Sequence, residues 1–455
     1  MKIIIVGVGK LGEYVAHELV NENHEVTLID LDFKNRNNII NNEDLNYICG
    51  NGLDANILIE AGAPDADLII SVMEKDEQNL MCCLLGKKLG TKHSIARIRT
   101  PEYASSIDII KEDLGLSMSI NPEKLTANHI SGILSIPSAL DVKTFFKGRL
   151  QMVSLKINGK CNLKGHTINS LSKITENIIV CAIKREKEII IPKGSTKIQE
   201  NDILHITGTP KGIQKILKHA KLLTDKTKKV MIIGGSSTAV YLAEILNEMN
   251  IENRIIEIDE NRCHELSEEL PESLIIHGDA TNENVLLEED IDTMDSFVAL
   301  NSIDEENIVL SLYAKTQNVP KIITKINHIN LSGVIEKSNL DSIITPHKIA
   351  TNQIVTYVRA MDNSKSSSCE SIYRFGTNEF ELLEFNVKND FKALNMKLKD
   401  INFKEDIIIV AIWRKRDVTF PGGMDTIQEK DTIIVANKSA QIKDLNDILE
   451  DNYEK

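Results

Sequence analysis

The residues best suited to chemistry lie at the start of the chain, in the segment Gly7-Val8-Gly9-Lys10-Leu11-Gly12. This GxGxxG spacing follows an apolar run of strand length and opens a run with helical spacing, which is the context that a dinucleotide-binding loop requires. Gly7 permits a tight turn, Gly9 lets a pyrophosphate approach the backbone, and Gly12 lets helix and strand pack closely. The N-terminus of the helix adds N–H groups and partial positive charge for phosphate. The pattern predicts a nucleotide site.

An acidic residue completes the fingerprint. Asp30 ends the next predicted strand, 18 residues after Gly12. Its carboxylate suits both ribose hydroxyls, which favours NAD or adenosine over a ribose that carries a 2′-phosphate. Asp32 is placed either to touch the same adenosine or to face solvent. Lys10, inside the glycine loop, is either a cation for a terminal phosphate or an exposed lysine.

Further candidates follow the next predicted strands, at the carboxyl edge where sheets of this kind bind ligands. Asn51 and Gly52 follow the third strand and are either ligand contacts or turn residues. Val72 and Met73 end the fourth strand, where they either cover an adenine or belong to the core.

Polar residues open the next helix and end the fifth strand. The candidates are Asp76, Glu77, Asn79, Arg97 and Arg99. Asp76 suits a helix N-cap as well as a ligand contact. Arg97 and Arg99 alternate along a strand, so one of them suits a phosphate and the other an ion pair.

A scaffold of alternating elements must bring these residues together. Apolar strand-length runs such as "KIIIVGVG", "HEVTLID" and "ADLIISVM" alternate with helical runs such as "GEYVAHELVNEN" and "DEQNLMCCLLGKKLG". This alternation predicts an α/β fold with a Rossmann-like, doubly wound parallel sheet covered on both faces. Short β runs such as "LQMVSLKI", "IIVCAIKR" and "DILHITG" follow, and they predict a small α+β domain.

The whole pattern occurs twice. "KIIIVGVGKLGEYVAHEL" from Lys2 returns as "KVMIIGGSSTAVYLAEIL" from Lys229, and "IPKGSTKIQENDIL" from Ile191 returns as "FPGGMDTIQEKDTI" from Phe420. We therefore expect two tandem units, each with a nucleotide-binding domain and a small C-terminal domain. The expected domains span 1–135, 140–222, 228–358 and 370–450. "DKTKK" at 225–229 predicts the linker between the units, and "NSKSSS" at 363–368 predicts a polar loop.

The second glycine loop departs from the fingerprint. The equivalent positions in the second unit are Gly234, Gly235, Ser236, Glu257 and Asp279, with Lys325 and Asn327 in place of the two arginines. Ser236 puts a side chain where the backbone should approach phosphate. Glu257 keeps a ribose acceptor. The sequence therefore predicts a weakened or altered second nucleotide site.

Composition limits the classes of function. The 455 residues include 53 Lys and Arg against 67 Asp and Glu, a net charge of −14, which argues against a nucleic-acid binder. Residues 1–222 carry a net +2 and the rest −16, which indicates a well-solvated second half or a face that responds to cations or docks a partner. Seven cysteines without a CxxC pair indicate neither a disulfide framework nor a zinc site. A reducing, cytosolic compartment fits this cysteine usage.

Several motifs of enzymes and membrane proteins are missing from the sequence. No apolar run approaches the ~20 residues of a membrane-spanning helix, so we expect membrane association only through a partner. HExxH, Walker A and GxSxG motifs are absent, and the histidines stand singly. The second part of each unit is small for bringing a substrate to a nicotinamide. We therefore predict no catalytic residue and no metal ligand, with an NAD-dependent oxidoreductase as the alternative.

The ordered blocks resemble a known family over essentially the whole chain. "GNGLDANILIEAGAPDADLIISVMEKDEQN", "IARIRTPEY", "GDATNENVLLEEDID" and "PKIITKIN" are similar to the TrkA-type peripheral subunits of Trk potassium uptake systems, which have tandem regulator-of-potassium-conductance (RCK) domains. The family's C-terminal pattern ends here in Asp202 and again in Asp431.

The resemblance implies a regulatory function. It implies a homo-oligomer, a tetramer of tandem chains, that forms a cytosolic gating ring beneath a TrkH/TrkG-like membrane potassium-translocating subunit. It also implies that NAD(H), ATP or ADP gates transport. The same module on another cation channel or antiporter remains an alternative. The apolar helix face around Leu80, Leu84 and Leu85 would pack either on neighbouring chains or in the chain's own core.

Overall fold

The computed structural model describes the chain apart from residues 34–44, 160, 187, 224, 328–339, 341, 363–368, 376–379, 439–441, 443 and 451–455. The predicted loop at 363–368 thus lies outside the described residues. The strands of the described part are β1 (Lys2–Val6), β2 (Glu25–Asp30), β3 (Leu45–Cys49), β4 (Leu68–Ser71), β5 (His93–Arg97), β6 (Met118–Ile120), β7 (Asp141–Phe145), β8 (Leu150–Lys156), β9 (Ile178–Arg185), β10 (Glu188–Ile190), β11 (Ile203–Gly208), β12 (Lys229–Ile233), β13 (Glu252–Glu257), β14 (Leu274–His277), β15 (Ser296–Ala299), β16 (Lys321–Lys325), β17 (Ser342–Ile344), β18 (Cys369–Phe375), β19 (Phe380–Asn386), β20 (Ile407–Arg414), β21 (Asp417–Thr419) and β22 (Thr432–Asn437).

Helices connect these strands. The α-helices of the described part are α1 (Lys10–Asn21), α2 (Ala55–Glu60), α3 (Asp76–Leu89), α4 (Pro101–Ile110), α5 (Pro122–Ser135), α6 (Ile168–Leu171), α7 (Pro210–Ala220), α8 (Ser237–Glu248), α9 (Glu260–Glu269), α10 (Glu283–Glu288), α11 (Asp304–Thr316) and α12 (Pro346–Asp362). Short 3-10 turns lie at Ala63–Asp65, Phe146–Gly148, Ile291–Thr293, Leu398–Asp400 and Leu445–Ile448. Among the described residues, no helix combines the length and apolar character needed to cross a membrane.

Each unit contains a six-stranded parallel sheet. The strand order is β3-β2-β1-β4-β5-β6 in the first sheet and β14-β13-β12-β15-β16-β17 in the second. In β1 the four residues from Ile3 to Val6 are all buried, because helices cover both faces of the sheet. In the first sheet β2 and β3 lie on one side of β1, and β4 to β6 lie on the other side. This reversal of strand order opens a crevice beyond the carboxyl ends of β1 and β4. The predicted Rossmann-like fold is confirmed.

Each unit also contains a small antiparallel sheet. The strand orders are β10-β9-β11-β8-β7 and β18-β19-β22-β20-β21. In the first sheet the buried carboxylate of Asp202 accepts hydrogen bonds from Arg185 Nε at 2.8 Å, Arg185 Nη2 at 2.9 Å and the backbone N–H of Gln199 at 2.7 Å. Asp431 forms the same bonds with Arg414 and Gln428. The repeated sequence pattern that ends in these aspartates therefore fixes one turn in each small domain.

The two units exchange helices. The apolar face of α5, which includes Ile130 and Ile133, joins the core of the second parallel sheet and packs beside Leu242 of α8. In return, the apolar face of α12, which includes Ile354 and Val358, joins the core of the first sheet. The two parallel-sheet domains are therefore interlocked, because each is completed by a helix from the other unit.

The small sheets also pack against each other. Phe145 and Met152 of the first sheet share one buried cluster with Phe380, Leu382 and Ile434 of the second. This shared core and the exchanged helices join the two units along both pairs of domains.

Candidate nucleotide-binding site

The glycine loop between β1 and α1 has two glycines that the fold requires. Gly7 has a φ of +93°, and a Cβ there would lie 2.8 Å from the backbone N of Met73. A Cβ on Gly12 would lie 2.1 Å from the carbonyl oxygen of Gly7. Both positions are therefore tightly packed in this unit, because the turn and the first turn of α1 lie against the end of β4 and the loop itself.

Gly9 has a different environment. It is the N-cap of α1, with φ −73° and ψ −171°, a conformation that L-residues adopt readily. Apart from Gly9 itself and the adjoining backbone, no atom of the described residues lies within 4 Å of a Cβ built there. Its neighbours Val8 and Leu11 are buried in the core. Open space therefore adjoins the N-terminus of α1, where N–H groups and the helix dipole favour an anion.

Asp30 lies beside this loop at the end of β2. Its Oδ2 accepts a hydrogen bond from the backbone N–H of Val8 at 2.5 Å, and its Oδ1 accepts one from the N–H of Asp32 at 3.2 Å. The carboxylate thus fixes the loop and lies at the edge of the crevice. A carboxylate in this position suits ribose hydroxyls, which donate to its remaining lone pairs. Asp32 is exposed.

The residues after β3 and β4 mostly shape the crevice. Asn51 is exposed, and its Oδ1 accepts from the N–H of Leu53 at 3.0 Å, which is a turn contact. Gly52 is packed so tightly that a Cβ would lie 2.1 Å from Cγ1 of Val6. Val72 is a core residue, whereas Met73 is half-buried beside the glycine loop.

Asn79 and Asp76 hold the strand ends in place. The buried amide of Asn79 accepts from the N–H of Met73 at 2.7 Å and donates to the carbonyls of Met73 and Arg97 at 3.1 and 3.0 Å, which joins the ends of β4 and β5. Asp76 is not the N-cap of α3, which is Lys75. Its Oδ2 instead accepts from the backbone N–H groups of Arg99 and Thr100 at 2.9 and 2.8 Å.

The three remaining polar candidates contact protein groups at the rim of the crevice. Arg97 donates from Nη2 to Oε1 of Glu123 at 3.0 Å, so it is the arginine of the pair that forms an ion pair. Arg99 donates to the carbonyl of Glu74. The exposed Glu77 accepts from the Tyr103 hydroxyl at 2.9 Å.

Lys10 is exposed and lies near the second unit. Burial lowers the pKa of Lys325 at the end of β16, Asp304 and Glu123 act in the opposite direction, and the charge of Lys10 adds to the lowering. Lys325 also donates to the carbonyl of Leu300 at 2.8 Å. The charge of Lys10 therefore acts on a side chain at the end of β16, in the second parallel sheet.

The second glycine loop has the same framework. Gly234 has a φ of +92°. Oε2 of Glu257 accepts from the N–H of Gly235 at 2.6 Å, and Oε1 accepts from the N–H of Asp259 at 2.9 Å, as Asp30 does in the first unit. The hydroxyl oxygen of Ser236 is buried and has no hydrogen-bond partner among the described residues. The two sites therefore differ at this loop residue, and also where Lys325 and Asn327 replace Arg97 and Arg99.

Two further residues mark the second site. Arg262, which the sequence analysis missed, donates from Nε to the carbonyl of Gly235 at 2.9 Å and pairs with Glu265 at 2.7 Å. Its position one helical turn after Asp259 places it near the second glycine loop, but no motif used in the sequence analysis includes an arginine there. Asp279 forms an exposed turn, where hydrogen bonds from the hydroxyl and N–H of Thr281 lower the pKa of its carboxyl.

These arrangements suit binding of an anionic nucleotide. Each combines a helix N-terminus, a glycine loop and an adjacent carboxylate at the carboxyl edge of a parallel sheet. The described residues contain no group of three His, Cys, Asp or Glu side chains placed to hold a metal ion.

Known proteins share these domains. The TrkA-N domain model matches residues 3–122 and 230–346, and the TrkA-C domain model matches residues 152–221 and 382–450. The Trk system potassium uptake protein TrkA of Haemophilus influenzae is 31% identical over 441 residues, which cover 96% of this chain and 95% of that protein.

Solved structures share the fold. The crystal structure of the GsuK RCK domain matches with a TM-score of 0.63 and 16% identity over 96% of this chain and 92% of that chain. The GsuK channel bound to NAD matches with a TM-score of 0.63 and 17% identity over 96% of this chain and 77% of that chain. Both therefore contain the same tandem arrangement of domains.

Proposed function

Because this chain belongs to the TrkA family of Trk potassium uptake proteins, we propose that it is a nucleotide-sensing subunit that controls potassium uptake through a membrane partner. The observation that carries the proposal is the open space at Gly9, between the N-terminus of α1 and the carboxylate of Asp30. The phosphates of NAD(H), ATP or ADP would lie at Gly9 and the ribose at Asp30. A GsuK channel with this fold is described as bound to NAD, which supports the choice of ligand.

The proposed role is regulatory rather than enzymatic. A nucleotide shifts a conformational equilibrium only through different affinities for its two states. The charge of Lys10 acts on Lys325 of the second unit, so a terminal phosphate near Lys10 would meet different surroundings whenever the two parallel-sheet domains move relative to each other. That difference would let ATP and ADP act in different ways.

The proposed assembly is a homo-oligomer, a tetramer of tandem chains that forms a ring on the cytosolic face of a membrane potassium-translocating subunit. Exposed apolar residues support this assembly. They lie on α2 and α3 in the first unit and at the equivalent positions of α10 and α11 in the second. These residues are Ile59 and Met81 in the first unit, exposed by 49% each, and Leu287 and Val309 in the second, exposed by 45% and 64%. Beside Val309 a cavity of about 410 Å³ is lined by Leu286, Leu310 and Tyr313.

The helix face around Leu84 adds less to this exposed apolar surface. Leu80, Leu84 and Leu85 are half-buried, and Leu80 and Leu85 pack against clusters of the chain's own core. Among the large apolar residues of α3, Met81 is the exposed one.

Light scattering tests the assembly. We expect Val309→Asp to dissociate the oligomer, because a carboxylate would enter an apolar interface without a partner. Met424→Asp is the matched control, since Met424 is 66% exposed but lies in the second small domain. A wild-type monomer at micromolar concentration, or an unchanged oligomer in Val309→Asp, would contradict the proposed ring contact.

We propose the four domains 1–135, 140–222, 228–358 and 370–450. The first includes the whole of the exchanged helix α5, and the third includes α12 up to residue 358. Limited trypsin digestion tests the central boundary. We expect early cleavage at the exposed Lys226, with the two fragments remaining associated through their exchanged helices. Earlier cleavage inside a proposed domain would move the boundary.

Titration of the purified protein with ATP, ADP, NAD⁺ and NADH tests the ligand. We expect Asp30→Ala to lose about 1.5–3 kcal/mol of binding free energy for each charge-assisted hydrogen bond, or roughly 10- to 150-fold in affinity. Glu257→Ala is the matched variant of the second unit. Unchanged affinity in a folded Asp30→Ala protein would refute the assignment. Transport in vesicles that hold the membrane partner, with and without nucleotide, tests regulation.

A further inference from the structure

A buried ion cluster joins three parts of the fold. It consists of Arg359 near the end of α12, Glu22 at the C-cap of α1 and Glu381 on β19, and we call it the Arg359 cluster. The three residues are exposed by only 4%, 9% and 2%. They belong to the exchanged helix, the first parallel-sheet domain and the second small domain.

The geometry of the cluster is that of a bridge. Arg359 Nε donates to Oε2 of Glu22 at 2.6 Å, and Nη2 donates to Oε1 of the same carboxylate. Nη1 and Nη2 also donate to the two carboxylate oxygens of Glu381, each at 3.4 Å. Burial lowers the pKa of Arg359, but the hydrogen bond and charges from Glu22 and Glu381 outweigh this and raise it overall. The guanidinium is therefore charged at every relevant pH.

Helix α1 connects this cluster to the first glycine loop. The helix begins directly after Gly9, contains 12 residues and is capped by Glu22. At 1.5 Å per residue it is about 18 Å long. Its buried face, which includes Val15 and Leu19, shares one core with Ile354 of α12. The candidate phosphate position and the Arg359 cluster thus lie at opposite ends of one packed helix.

The equivalent positions of the other unit lack this cluster, although the chain is duplicated. The repeat places Met249 at the position of Glu22 and Ser135 at the position of Arg359. Strand register identifies Gln151 as the counterpart of Glu381. Gln151 pairs with Gly208 in the first small sheet, and Glu381 pairs with Asn437, the equivalent of Gly208, in the second. These three counterparts carry no charge. The bridge therefore connects only the first glycine loop with the second small domain.

We propose that the Arg359 cluster couples nucleotide occupancy of the first glycine loop to the second small domain. The inference rests on the nucleotide binding proposed above. A shift of α1 toward a bound phosphate displaces Glu22 at its other end. Separation of a buried ion pair leaves a charge without its partner in a medium of low dielectric constant, so Arg359 and β19 follow Glu22. Arg359 acts here as a positioning residue that touches no nucleotide.

Hydrogen–deuterium exchange of the full-length protein, with and without saturating ADP or NAD⁺, tests this coupling. In the wild-type protein we expect the nucleotide to change exchange rates several-fold both at the first glycine loop and in 380–386 and 432–437. The variant Glu22→Met/Arg359→Ser/Glu381→Gln installs the residues that the chain itself uses at the equivalent positions, and leaves no unpaired charge of the cluster. We expect it to keep the change at the loop and lose the change in the second small domain.

Two further variants separate coupling from general stability. Lys321→Met removes another buried interdomain side chain, which donates to the carbonyl of Ala139 at 2.5 Å and to Ser342 Oγ at 2.8 Å. Because Lys321 lies outside the path from α1 to β19, we expect this variant to keep the distant response. Arg359→Lys keeps the charge but not the two-point contact, so we expect a reduced response. This variant provides the test if the triple variant does not fold.

The outcomes distinguish this inference from the proposed function. If calorimetry detects nucleotide binding but β19 and β22 do not respond in the wild-type protein, the coupling is refuted and nucleotide sensing is not. A response that survives in the triple variant also refutes the coupling, as does an undiminished response in Arg359→Lys where the triple variant is unfolded. If calorimetry detects no nucleotide binding, the proposed function fails and the coupling fails with it.

Discussion

Gly9→Val separates the chemistry of the glycine loop from its structural role. Apart from Gly9 itself and the adjoining backbone, no atom of the described residues lies within 4 Å of a Cβ at Gly9, and the backbone there is in a region that L-residues adopt. We therefore expect the free energy of unfolding of the nucleotide-free protein to change by less than about 0.5 kcal/mol. The valine side chain would occupy the space that the pyrophosphate needs.

The expected loss of affinity follows from the hydrogen bonds that would be broken. A hydrogen bond from a backbone N–H to a charged group contributes about 1.5–3 kcal/mol. If two such bonds at the N-terminus of α1 are lost, binding weakens by about 3–6 kcal/mol, or roughly 150- to 25,000-fold in the dissociation constant. Nucleotide affinity and protein stability should therefore respond very differently.

The assay pairs calorimetric titration of ADP and NAD⁺ with urea unfolding of the nucleotide-free protein. Gly12→Ala is the matched control, because its Cβ would lie 2.1 Å from the carbonyl oxygen of Gly7 and should destabilise the fold by about 1–3 kcal/mol. Wild-type affinity in Gly9→Val would refute the phosphate position. A large loss of stability in Gly9→Val would instead show that this glycine is required by the fold.

The remaining predictions concern the second site, pH and thiol reactivity. Calorimetry should show that the first site fills at a lower nucleotide concentration than the second. Ser236→Gly should reduce the difference in affinity between the two sites, because it admits phosphate to the second loop. Filling of the second site before the first would contradict this prediction. Burial lowers the pKa of His205 to about 4, so the unfolded chain binds more protons than the folded chain between pH ~6.5 and about 4. The free energy of unfolding should therefore fall on the order of 3 kcal/mol as the pH falls through this window. His205→Ile, which copies Ile434 of the second unit, should flatten that dependence in urea unfolding, and an unchanged slope would contradict it. Burial raises the pKa of Cys82 to about 12, so mass spectrometry after native alkylation at pH 8 should find the exposed Cys49 modified and Cys82 protected; early modification of Cys82 would contradict its burial.

The sequence predicts the local elements well, because each carries its own signal. The repeat, the apolar strands and the two glycine loops can be identified from residue spacing, and the fold class inferred from them is confirmed. The role of Arg97 could not be assigned in the same way, because alternation along β5 does not show which arginine meets a carboxylate of α5. Its pairing with Glu123 depends on how that helix packs.

Contacts between distant segments are harder to predict. The apolar faces of α5 and α12 indicate amphipathic helices, but helical spacing does not specify which sheet each face covers. The Arg359 cluster joins Glu22 with a residue 337 positions later in the chain, and no local pattern links them. Arg262 was missed for a related reason, since its contact with Gly235 depends on the position of α9 over the loop.

The helix exchange has a consequence for synthesis of the chain on the ribosome. The first parallel sheet lacks part of its cover until α12, which ends at Asp362, has been made. More than 200 residues separate the end of α5 from the end of α12. Synthesis at about 5–20 residues per second therefore takes roughly 10–45 seconds to cover this distance. During this time the apolar faces around Leu19 and Ile130 are exposed to other nascent chains. We therefore expect the first half to need protection from aggregation, as chaperones provide, until the second half emerges.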